Sequence, residues 1–139
     1  MIACPRERLY TPAMPLILWI AAGGAVGASG RHLMNVYAGR LLGTDFPWGT
    51  FIVNVAGSFA MGMFITAMAL KFQTSLEMRA FLTTGLLGGF TTFSAFSLDF
   101  ITLFERKQHG LAALYAASSV GLALLAIFAG MALMRAVLS

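Results

Sequence analysis

Charge is what this sequence has least of: Lys, Arg, Asp and Glu make up 10% of its 139 residues, against roughly a quarter in a soluble domain. So little polar surface cannot cover a water-facing exterior, which excludes an ordinary soluble domain. Cysteine is nearly absent, with Cys4 alone, and there are only two histidines. An intrachain disulfide framework is excluded, and zinc, haem and iron–sulfur centres lack the Cys/His cluster they need. Acids are scarce as well, and Asp99 is the sole one inside an apolar run, near its end. A proton-coupled exporter needs a carboxylate near the membrane centre, and none is available there. The nine Lys and Arg are dispersed singly or in pairs, so the pI near 9.9 reflects helix-end anchors and excludes a nucleic-acid surface.

What is abundant is hydrocarbon: 59% of residues are apolar and the mean hydropathy is +0.84. Four long apolar runs, approximately 15–36, 48–70, 80–104 and 111–138, each approach the ~20 residues that a helix needs to cross a bilayer. Trp19, Tyr37, Trp48 and Tyr115 lie near their ends, where amphipathic rings favour the headgroup level. The expected fold is an all-α, multi-pass protein of the plasma membrane, with one four-helix transmembrane domain over 1–139. A signal peptide is the competing reading of the first run, with Arg6 and Arg8 as its basic start and Ala25 to Ser29 as its cleavage site. Apolarity that continues to Val36, with Arg31 inside it, favours a span.

Four spans put both termini and the second loop on one side, with Arg6, Arg8, Lys71, Arg79 and Arg135; the other side has Arg31, Arg40, Arg106 and Lys107. Five against four is almost no bias, which permits insertion both ways up and an antiparallel homodimer. If Arg31 sits inside the membrane, five against three gives a modest preference for termini inside.

Polar groups at membrane depth are costly and so mark candidate sites. Thr50, Asn54 and Ser58 recur at i, i+4, i+8 and share one helix face. Asn54 carries two N–H donors able to replace water around an anion, or it is interhelical glue. In the third run, Gly85, Gly88 and Gly89 with Thr91 and Thr92 predict a helix break over Gly88 to Thr92, whose freed carbonyls suit a hard cation such as Na+. Gly85 and Gly89 also form a Gly-x-x-x-Gly pair of the kind that packs helices. Phe93 and Phe96 share a face at i, i+3, and ring edges can stabilise an anion; the alternative is packing. Ser94 and Ser97 can donate hydroxyl hydrogens or bond back to the preceding turn. Tyr115, Ser118 and Ser119 make one polar patch in the fourth run, and Arg31 either snorkels or forms an electropositive vestibule. No nucleophile, base and orienting group can be assembled at depth, so catalysis is not expected. Donors and aromatics without an acid suit a small, strongly hydrated anion.

The stretch Gly88-Gly-Phe-Thr-Thr-Phe-Ser-Ala-Phe96 resembles the signature of the Fluc/CrcB fluoride channels. So do Gly49-Thr-Phe-Ile-Val-Asn54 with Gly57-Ser58, and Gly23-Gly-Ala-Val-Gly-Ala-Ser-Gly-Arg31. The resemblance implies a dual-topology homodimer with two antiparallel pores that conducts fluoride passively and rejects chloride. It implies a fluoride pathway along Phe93, Phe96 and Asn54; Ser119, with Tyr115 one turn before it, is the candidate polar track of the fourth run, and Arg31 the candidate vestibule. It also implies a structural Na+ at the dimer interface, held by the backbone carbonyls of Gly88 and Thr91. Ala95 stands where the family commonly has Thr, and His32 where Tyr commonly follows the Arg. Two other classes share the small helical format. A dual-topology multidrug exporter needs a membrane-central Glu in its first span, which has no acid here. A noncatalytic assembly subunit would carry no ion flux.

Overall fold

The computed structural model describes residues 13–71 and 74–138, and apart from short connections these are helical, with no strand among the described residues. Arg6 and Arg8, on which the signal-peptide reading and part of the orientation count rest, lie outside the described residues, as does Cys4. The elements are α1 (Ala13–Leu42), α2 (Trp48–Leu70), α3 (Leu76–Arg79), a π-helical segment (Ala80–Leu87), α4 (Gly88–Phe90), α5 (Phe93–Glu105) and α6 (His109–Leu138). Three continuous stretches, Trp48–Leu70, Leu76–Glu105 and His109–Leu138, are long and apolar enough to cross a bilayer. The second run's helix keeps its expected limits. The first helix instead continues to Leu42, taking in Arg40, and the third begins four residues early at Leu76.

Turn chemistry sets these ends. Gly43, at φ 84°, supplies the left-handed residue that closes α1. Ser75 caps α3 by accepting from the Met78 N–H at 3.2 Å. After α5, the Gln108 N–H reaches the Leu103 carbonyl and the Lys107 N–H the Phe104 carbonyl, a Schellman arrangement with Lys107 left-handed at φ 60°.

Glycines decide which helices touch. Gly62 of α2 lies against the Ile127 carbonyl of α6, and Gly130 of α6 against the Phe59 carbonyl of α2, so two backbones approach without intervening side chains. A second seam joins α1 to the third span. A β-carbon on Gly85 would stand 2.8 Å from the Ile20 carbonyl oxygen, and one on Gly89 2.7 Å from that of Gly24. The Gly-x-x-x-Gly pair is thus a packing device against α1, and the backbone that carries Gly85 is itself π-helical, with the Gly88 N–H bonded to the Thr83 carbonyl.

The fully buried side chains are few, with Tyr115 and Val53 the largest, while Leu18, Leu41, Leu98, Leu125 and Phe128 stand exposed. Apolar residues on the outside and small or polar ones at the seams are the distribution expected of a chain solvated by lipid.

Candidate functional site

The break in the third span is shorter than expected. Gly88 to Phe90 remain helical, and only Thr91 and Thr92 leave the helix, at φ/ψ of −81°/157° and −156°/124°. Side chains take over the interrupted ladder. The Thr92 N–H, which a continuous helix would direct to the Gly88 carbonyl, donates to Asn54 Oδ1 at 2.8 Å, and Asn54 Nδ2 donates to the Thr92 carbonyl at 3.0 Å. Asn54 therefore mimics a peptide group laid against the gap. The Ala95 N–H, whose helical partner would be the Thr91 carbonyl, donates to Thr92 Oγ1 at 3.2 Å. Thr92 is thus at once the clamp point for Asn54 and the N-cap of α5. The spacing of Thr92 ahead of a helical run was the signal that could have assigned that cap.

Both diversions release carbonyls. Those of Gly88 and Thr91 lose their helical donors, and hard oxygens freed at membrane depth are the donor type a small monovalent cation takes. The residues present therefore fit the structural Na+ that the resemblance implies. Arg31 Nη1 also approaches the Thr91 carbonyl, at 3.5 Å, so the guanidinium sits at the break instead of at a helix end.

Beside the break lies a cavity of about 550 Å³. Asn54, Gly88, Thr91, Phe93, Phe96 and Ser119 all line it, brought from α2, α4, α5 and α6 and the break between α4 and α5. Thr92 and Ser58 also face it, and its remaining wall is mostly aliphatic. Phe93 and Phe96 stand with ring centroids 5.4 Å apart and planes tilted by 37°. Phe93 is 76% exposed in the single chain, so the cavity is open on that side. Ser119 is the distinctive polar group: its Oγ is buried and has no hydrogen-bond partner among the described residues. An unpartnered buried hydroxyl is costly unless something else occupies its donor.

Tyr115 and Arg31 do not line this cavity. Tyr115 is fully buried, and its hydroxyl donates to Asp99 Oδ2 at 3.2 Å. Ser97 and Ser118 bond back to the carbonyls of Phe93 and Leu114, at 3.0 and 2.6 Å. The stripe on α2 divides: Asn54 and Ser58 face the large cavity, whereas Thr50 faces a second one of about 340 Å³. That smaller cavity opens among Asn35, Asp45, Phe46, Ala95, Asp99 and Arg106.

The fold and this site define a multi-pass helical membrane protein with a donor-and-aromatic cavity beside a broken helix. The chain belongs to the CrcB family, whose description, "CrcB-like protein, Camphor Resistance (CrcB)", matches residues 18–131. Its relatives include the protein named "Fluoride-specific ion channel FluC" from Chelativorans sp. (strain BNC1), 53% identical over 122 residues, or 88% of this chain and 98% of that protein. Proteins of the same name from Cereibacter sphaeroides (strain ATCC 17029 / ATH 2.4.9) and Agrobacterium fabrum (strain C58 / ATCC 33970) are 56% and 50% identical, each over 119 residues and 86% of this chain. Those matches cover 94% and 95% of the respective relatives.

Proposed function

We propose that this protein is a passive, highly selective fluoride channel, a single four-helix domain that works in the plasma membrane as an antiparallel homodimer and exports cytoplasmic fluoride. Transport without catalysis is its activity. The observation that carries the reading is the convergence of Asn54, Phe93, Phe96 and the unpartnered Ser119 hydroxyl on one cavity.

Fluoride gives up a strong hydration shell to enter hydrocarbon, and the chain offers replacements without any formal positive charge on the cavity wall. The Ser119 O–H is free to donate to an anion. Asn54 has one N–H committed to Thr92 and a second available. Phe93 and Phe96 supply positive ring edges, which strengthen where water is excluded. Arg31, held near the break, contributes positive potential that raises the local anion concentration. Tyr115 serves the pathway from behind, since its own hydroxyl hydrogen is taken.

The carbonyls of Gly88 and Thr91, two from each subunit, would hold the structural Na+. Bound there it would offset buried carbonyl dipoles and join the subunits at their shared centre. The exposed Phe93 face is where the second copy completes the pathway.

The physiological logic is weak-acid trapping. Neutral HF crosses lipid and ionises in a near-neutral cytoplasm; an inside-negative potential then expels the anion with ~2.3 kcal/mol per 100 mV, so no pump is needed. The test is efflux from vesicles loaded with potassium fluoride or potassium chloride after addition of a potassium ionophore. Fast fluoride release with negligible chloride release is expected, and comparable rates for the two halides would overturn the proposal.

A further inference from the structure

Tyr115 lies between the two cavities and lines neither. Its ring is gripped on one side by Phe46, at 5.4 Å and 88°, and Phe46 lines the smaller cavity. On the other side it meets Phe96, at 5.2 Å and 37°, and Phe96 lines the larger one. The ring is thus the partition between them, and it is fully buried. Its hydroxyl is held by Asp99 at 3.2 Å, and Asp99 belongs to the smaller cavity. Asp99 is an expensive residue to place in an apolar helix, and it neither faces Phe96's cavity nor bonds to the break.

We propose that Asp99 is a positioning residue for the anion pathway: its carboxylate pins the Tyr115 hydroxyl, and the pinned ring fixes the angle at which Phe96 meets the larger cavity. This rests on the fluoride-channel reading and deepens it. A free tyrosine hydroxyl would rotate its donor between neighbours, and the ring could then slide with its partner Phe96. A hydrogen bond to a fixed acceptor on another helix removes that freedom at a distance from the ion. A negative charge contacting the anion would repel it, so a direct role for Asp99 predicts the opposite sign on neutralisation.

The experiment compares fluoride efflux from vesicles for wild type, Asp99→Ala, Asp99→Asn, Tyr115→Phe and the Asp99→Ala/Tyr115→Phe pair. It is accompanied by ultraviolet resonance Raman spectra of the tyrosine hydrogen-bond bands in the same samples. Each of Asp99→Ala and Tyr115→Phe should slow efflux about tenfold, the scale of one buried hydrogen bond, and the pair should be no slower than either. Asp99→Asn retains an acceptor oxygen and should restore efflux to near wild type, which a structural loss would not do. The Raman band of Tyr115 should weaken in Asp99→Ala and recover in Asp99→Asn. Faster efflux in Asp99→Asn, multiplicative losses in the pair, unchanged single variants, or a Tyr115 band indifferent to Asp99 would each overturn the inference. An inactive wild type would instead defeat the channel reading, and the Raman arm would still decide whether Asp99 pins Tyr115.

Discussion

Phe93 and Phe96 differ in how much of each ring the chain itself holds. Phe96 is wedged between Phe93 and Tyr115, whereas Phe93 is mostly exposed and depends on whatever closes the cavity. If they only pack, leucine should serve, because apolar character and much of the volume survive. If their edges meet the anion, leucine removes the positive rim. Phe96→Leu and Phe93→Leu are each expected to run as normal dimers on size exclusion yet to lose fluoride flux by about tenfold or more. Near wild-type efflux from both would move the pathway to Asn54 and Ser119. At this scale the residue types were legible because polar and aromatic groups are rare at depth and each one draws scrutiny. What Tyr115 does with its hydroxyl was not legible. Its partner Asp99 lies on another helix, 16 positions away, and only the packing of α5 on α6 brings the two together.

Glycine spacing carries the element-scale information. Three of the four runs carry helices long and apolar enough to cross a bilayer, but the break was placed too widely, since three glycines weaken a helix on paper while Gly88 and Gly89 stay helical here. The physical reason is that Gly85 and Gly89 spend their small size on contact with α1, and the interruption falls to Thr91 and Thr92, where Asn54 can replace the lost ladder. The π-helical stretch left no mark on the sequence, because its register reflects a backbone pressed against Gly23 and Gly27 of another helix. A β-carbon on Gly27 would stand 2.8 Å from the Phe90 nitrogen, closer than any tolerated contact, whereas one on Gly24 meets nothing within 4 Å. Gly27→Ala should therefore destabilise the protein by about 1–3 kcal/mol and lower its thermal midpoint in detergent. Gly24→Ala, on the same helix, should hold or slightly raise that midpoint through helix propensity. Equal midpoints for the two variants would show that this seam does not set the packing.

For the whole molecule the open question is which way up it inserts, and Arg31 bears on it. Its guanidinium lies at the Thr91 carbonyl, inside the packed chain, so it does not act as a loop anchor. The count of loop Lys and Arg becomes five against three, a difference small beside the clear excess by which membrane proteins usually fix their orientation. An antiparallel pair also answers the exposure of Phe93, since each copy would bring the same face to the other. Cys4 makes the test direct, because it is the only thiol in the chain and precedes the first helix. A membrane-impermeant maleimide applied to intact cells should label about half of the chains, and lysed cells should label all of them. Full labelling or none on intact cells would mean that the residual charge bias, weak as it is, orients every subunit alike. Two parallel copies would then present their Phe93 faces in the same direction, and the antiparallel closure of the cavity proposed above would fail even if fluoride still crossed the membrane.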